Sequence, residues 1–71
     1  MLMAERAVLE WMQQIRAEYV EMPGLSLTKD QICRMWRIDE PLCDAVVGAL
    51  LASEFLEKRP GGLYARRSGR Y

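Results

Sequence analysis

Apolar residues recur at helical spacing along the first third of the chain. At about 100° per residue, Ala4, Val8, Trp11, Met12, Ile15, Tyr19 and Met22 fall on one face, with Arg6, Glu10, Gln13, Gln14, Ala17 and Glu21 opposite. This pattern predicts one amphipathic helix over residues 2–22. Leu2, Leu9 and Val20 form a second, narrower apolar line beside the main face, more than a single core usually needs. Met22-Pro23-Gly24 ends the helix, because proline disfavours helical geometry at the residue before it and glycine tolerates a turn.

Leu25-Ser26-Leu27 is too short to stand alone as a strand but suits the edge of a hairpin. Thr28-Lys29-Asp30-Gln31 has the form of a capping box, with Thr28 as N-cap and Gln31 reaching back. The helix it opens carries Ile32, Cys33, Met35 and Trp36 as its buried set, followed by a tight Arg37-Ile38-Asp39 connection. Asp39 is the expected N-cap of a third helix, with Glu40 and Pro41 in its first turn, where both are favoured. Leu42, Cys43, Val46, Val47, Leu50 and Leu51 carry that helix to Ser53 or Glu54. Phe55–Arg59 and Leu63–Arg66 read as two strands around Pro60-Gly61-Gly62, whose glycines permit the positive φ angles of a tight hairpin. The fold class is mainly α with a small β-hairpin: three helices plus a wing in a single domain over residues 1–66.

Length and charge sharpen this picture. Seventy-one residues allow one core and only marginal stability. The net charge is zero but unevenly spread: Lys58, Arg59, Arg66, Arg67 and Arg70 face no acid over residues 58–71, while all ten acids lie before them. Residues 67–71 are expected to form a basic, disordered tail. Such a patch attracts anions on a molecule that otherwise repels nucleic acid. No signal segment or membrane span is expected, since charges interrupt every apolar run, and the chain reads as cytoplasmic.

Helix, tight turn, helix and basic hairpin, in that order over residues 25–66, resemble the bacterial winged helix-turn-helix regulators. Thr28 matches the start of the second helix, Cys33 the small packing position, Ile38 the turn anchor, Cys43 and Val47 the inward positions, and Phe55-Leu56 the lead into the wing. Arg37 and Glu54 depart from the pattern where glycine is usual, and Glu54 implies a different exit from the third helix. The resemblance implies that the third helix faces the major groove and that its exposed residues read bases. Here those positions hold Asp39, Glu40, Pro41, Asp44, Ala45, Gly48 and Ala49, a poor surface to bring near phosphates.

Two readings follow. In the first, the chain binds duplex nucleic acid through Lys58, Arg59, Arg66 and Arg67 on the wing, helped by Arg34 and Arg37 before the third helix. In the second, Asp39, Glu40 and Asp44 capture a protein partner. A homodimer through Leu2, Leu9 and Val20 is expected alongside either. An accessory role in a larger complex is the third possibility.

Catalysis is not expected: there is no histidine to activate Ser26 or Ser53 and no Gly-rich phosphate loop. Cys33 and Cys43 read as small core residues, because two thiols alone cannot complete a tetrahedral zinc site. No metal or cofactor is expected. Trp11 and Trp36 read as core or interface, and Met12, Met22 and Met35 lie on faces expected to be buried.

Overall fold

The computed structural model describes residues 2–67, with side chains from Arg6 onward. Its elements are α1 (Leu2–Glu21), β1 (Ser26–Thr28), α2 (Lys29–Trp36), α3 (Glu40–Ala52), β2 (Leu56–Arg59) and β3 (Leu63–Arg66). β1 joins the hairpin to make an antiparallel sheet in the order β1-β3-β2, a winged-helix-like arrangement. The domain expected over 1–66 falls almost wholly within these residues, whereas the tail from Ser68 onward lies outside them.

Local chemistry accounts for each boundary. Leu25-Ser26-Leu27 gains strand geometry by pairing with β3, where Leu27 stands opposite Tyr64 and buries its side chain. Thr28 ends β1 and caps α2 at once. Its hydroxyl accepts from the Gln31 N–H at 3.1 Å, and its own N–H donates to Gln31 Oε1 at 2.9 Å. No loop separates strand from helix, which pins α2 to the sheet.

Both later helices end in the same way. After α2, Arg37 takes φ 52°, its N–H reaches the Arg34 carbonyl at 3.4 Å, and the Ile38 N–H reaches that of Cys33 at 3.0 Å. After α3, Glu54 takes φ 66°, its N–H bonds the Leu51 carbonyl, and the Phe55 N–H bonds that of Leu50, both at 3.0 Å. This pair of bonds is the Schellman motif, which normally puts glycine in the left-handed position. Glu54 therefore does not redirect α3; it makes the glycine-type exit in a conformation that L-residues disfavour by about 1–2 kcal/mol.

Ile15 and Tyr19 of α1 meet Ile32, Ile38, Cys43, Val46, Val47, Leu50 and Leu56 in one core. α1 packs chiefly on α3. The buried Tyr19 hydroxyl donates to the Tyr64 carbonyl at 2.7 Å, fastening α1 to the central strand. Two methionines leave the expected core: Met35 is 50 % exposed and Met22 43 %. Helix α2 buries only the narrow face of Ile32, and Met35 lies off that line. Met22 stands past the last residue of α1, where the Pro23-Gly24 turn swings the chain away.

Candidate nucleic-acid interface

The hairpin register decides where the wing's cations lie. Arg59 stands opposite Leu63, so Pro60-Gly61-Gly62 forms the turn, with Gly61 and Gly62 at φ 85° and 74°. Lys58 and Arg59 are thus at the tip. Leu56 stands opposite Arg66, which puts Arg66 at the open end, and the Arg67 N–H bonds the Phe55 carbonyl at 2.8 Å just beyond it. At the strand rise of about 3.4 Å per residue, roughly 10 Å of sheet separates the two groups. The basic run of the sequence is divided into a tip and a base.

Neighbouring carboxylates divide it again. Arg59 reaches Glu57 Oε2 through Nε and Nη2, both at 2.8 Å, and Arg67 lies 3.7 Å from Glu54. Among the described residues, Lys58, Arg66, Arg34 and Arg37 make no ion pair. Arg66 instead places its guanidinium 5.6 Å from the centre of the Phe55 ring. Arg34 closes the last turn of α2 and Arg37 follows it, both exposed, at the end of α2 that leads into α3.

The outward face of α3 is chemically plain. Pro41, Ala45, Gly48 and Ala52 are exposed there and carry no side-chain group that can hydrogen-bond a base edge. Of the acids, Asp44 is tied to Lys29 of α2, which accepts the role of counter-ion; the hydrogen bond to Asp44 raises the lysine's pKa. Asp39 occupies the N-cap position as expected, but its side chain makes no capping bond. Among the described residues Asp39 and Glu40 make no ion pair. Glu40 lines a shallow cleft of about 280 Å³ with Lys29, Asp30, Cys33, Arg34 and Ile38.

Two cations of consequence escaped the sequence reading. Lys29 had been absorbed into the capping box, and its partner is fifteen residues away. Arg16, on the polar flank of α1, lies 5.0 Å from the centre of the Phe55 ring, alongside Arg66. Only an apolar residue after α3 capable of reaching α1 hinted at that meeting.

The remaining candidates fall as follows. Leu9 and Val20 are 59 % and 52 % exposed on α1, while the Leu2 side chain lies outside the described residues. Cys43 is wholly buried, and burial, reinforced by the neighbouring Cys33 thiol, pushes its pKa up to about 12, so it packs as a protonated, apolar group. Trp11 and Trp36 are half-buried and line a groove of about 340 Å³ with Glu10 and Gln14. Among the described residues no helix is long and apolar enough to cross a membrane. Compared with protein-family models, curated proteins and solved structures, the chain finds no significant match.

Proposed function

We propose that this chain is a winged-helix binding module of the bacterial helix-turn-helix regulator type, acting in the cytoplasm on nucleic acid. It holds the phosphate backbone and reads little sequence. The observation that carries this reading is Arg37. It is exposed, makes no ion pair among the described residues, and keeps a left-handed backbone that glycine would adopt more cheaply. The bonds that end α2 and the burial of Ile38 hold that backbone in place, and strain so held motivates a functional role for the exposed side chain. Arg37 and Arg34 stand before α3 in the chain and Lys58 on the strand after it, and Pro41, Ala45, Gly48 and Ala52 keep part of the helix's exposed face small beside the acids Glu40 and Asp44. Such contacts position a duplex without specifying it.

Titration of a labelled duplex at several salt concentrations tests this. Affinity should fall steeply with salt, with a slope set by the number of phosphate contacts and little dependence on base sequence. Arg34→Ala with Arg37→Ala should lower that slope by about two units. A salt-independent affinity, or none at low salt, ends the proposal.

A second reading has its own support. Asp39 and Glu40 remain unpaired at the start of α3 beside a cleft, which suits a basic segment of a protein partner. Asp39→Lys abolishes capture of such a partner and strengthens duplex binding, so the two readings separate on one variant. Either is compatible with a homodimer in which Leu9 and Val20 of α1 face their copies. Sedimentation at tens of micromolar should then give twice the chain mass, and Leu9→Glu should halve it.

A further inference from the structure

Two guanidinium groups fifty positions apart converge on one ring. Arg16 of α1 lies 5.0 Å and Arg66 of β3 5.6 Å from the centre of Phe55. Phe55 is itself fixed by an edge-to-face contact with the buried Tyr19, 6.3 Å between centres at 89°. Among the described residues neither arginine has a carboxylate in ion-pair distance. On α1, the positions three and four residues from Arg16 are Met12, Gln13, Tyr19 and Val20, and the residue paired with Arg66 across the sheet is Leu56. Neither guanidinium makes an ion pair or a side-chain hydrogen bond among the described residues, and both side chains are exposed.

A guanidinium against an aromatic ring keeps its N–H groups free at its edge while losing much of its rotamer freedom. Two cations held against one ring, with no ion pair among the described residues, raise the local positive potential, which an anion bound near them relieves. The planar fork of each suits the oxygens of a phosphate, which accept paired N–H bonds. Arg67 follows directly, its charge offset by Glu54 at the long distance of 3.7 Å. The site lies at the open end of the hairpin, about 10 Å of strand from the turn.

We infer that Arg16 and Arg66, clamped on Phe55, form a phosphate-binding clasp at the base of the wing. It takes a backbone phosphate of the nucleic acid held by the tip, and in that respect it rests on the function proposed above. Nucleic acid then runs along the hairpin from Lys58 toward α1 rather than touching the tip alone.

The test uses the full chain, a 12-base-pair duplex, and inorganic phosphate as a separate probe. Arg16→Gln and Arg66→Gln should each weaken duplex binding several-fold at low salt and lower the salt slope by about one unit, as Lys58→Gln does at the tip. Arg66→Lys keeps the charge without the planar fork and should fall between. Thermal unfolding of each variant separates lost binding from lost folding. If the glutamine variants fold and bind the duplex as the wild type does while Lys58→Gln weakens it, the clasp is wrong. If the wild type binds no duplex, the functional reading has failed, and the Nε–Hε resonances of Arg16 and Arg66 decide separately. A saturable shift with inorganic phosphate supports the clasp as a free-anion site, and its absence overturns it.

Discussion

The tip and the base of the wing carry the same formal charge in different surroundings. At the tip, Lys58 and Arg59 precede a turn followed by the half-buried Leu63, and Arg59 is answered by Glu57 on its own strand. At the base, Arg66 lies over the Phe55 ring, Arg67 bonds the Phe55 carbonyl through its N–H and faces Glu54, and Tyr19 of α1 bonds the neighbouring Tyr64 carbonyl. At the tip Arg59 is answered by a carboxylate on its own strand, whereas at the base Arg66 rests against an aromatic ring. Charge count alone therefore says little about what each arginine does, and neighbours say a great deal.

The largest expected effect breaks the base. Leu56 begins β2 and is 2 % exposed, so Leu56→Ala should cost about 3 kcal/mol by denaturant unfolding, as large-to-small core changes do. Lys58→Ala, two residues along the same strand, should cost under about 0.5 kcal/mol. Equal costs would show that base and tip are not distinct in packing.

Next comes the bond that ties the base to α1. Tyr19→Phe leaves the Tyr64 carbonyl without that donor and should cost about 1–2 kcal/mol. Burial raises the Tyr19 pKa from 10.0 to about 12, so the folded state holds this proton more tightly than the unfolded state does. Its contribution is full below pH 10 and is lost as pH rises from 10 to about 12. Cys43, raised from 9.0 to about 12, adds a loss that begins near pH 9. Thermal melts should therefore decline above pH 9, and Tyr19→Phe should flatten the part above pH 10. A wild-type melting temperature constant from pH 8 to 12 contradicts both.

The turn tests the tip in isolation. Gly62 stands at φ 74° with open space where a Cβ would go, so Gly62→Ala meets backbone strain alone and should cost about 1–2 kcal/mol. That loss should leave the chemical shifts of Tyr19 and Phe55 unchanged; if they move, tip and base are mechanically coupled.

The smallest effect has the opposite sign. Glu54→Gly relieves a left-handed glutamate and should stabilise the fold by about 0.5–1 kcal/mol, while removing the partner of Arg67. Arg37→Gly should stabilise it similarly and, unlike Glu54→Gly, weaken nucleic-acid binding. If Arg37→Gly binds as the wild type does, its strain serves no contact.

Much of the architecture was legible in residue order. The i, i+3, i+4 spacing of α1 and α3, the Thr28–Gln31 capping box and the Gly61-Gly62 turn are local, because each depends on residues within one or two turns of each other. Ile38 and Cys43 were expected inside and are buried: Ile38 is the one apolar residue of the Arg37-Ile38-Asp39 connection, and Cys43 shares the inward face of α3 with Val46, Val47 and Leu50. Met35 was misread because helical spacing gives a side chain's direction but not the width of the face a two-turn helix buries. Glycine's absence at Arg37 and Glu54 was visible, but its consequence was not. Whether a non-glycine residue breaks a motif or endures its strain depends on the core pulling Ile38 and Phe55 inward.

The elements, their order and the sign of charge on each stretch follow from periodicity, capping and turn chemistry, which act over a few residues and are legible along the chain. Which charges remain available depends instead on packing between distant segments. The register that parts Lys58 from Arg66 depends on strand pairing, and the pairing of Lys29 with Asp44 and the meeting of Arg16 with Arg66 on Phe55 join residues 15 and 50 positions apart. Their geometry is set by how α1 and the sheet pack on α3, a balance of burial that no short window of the chain contains.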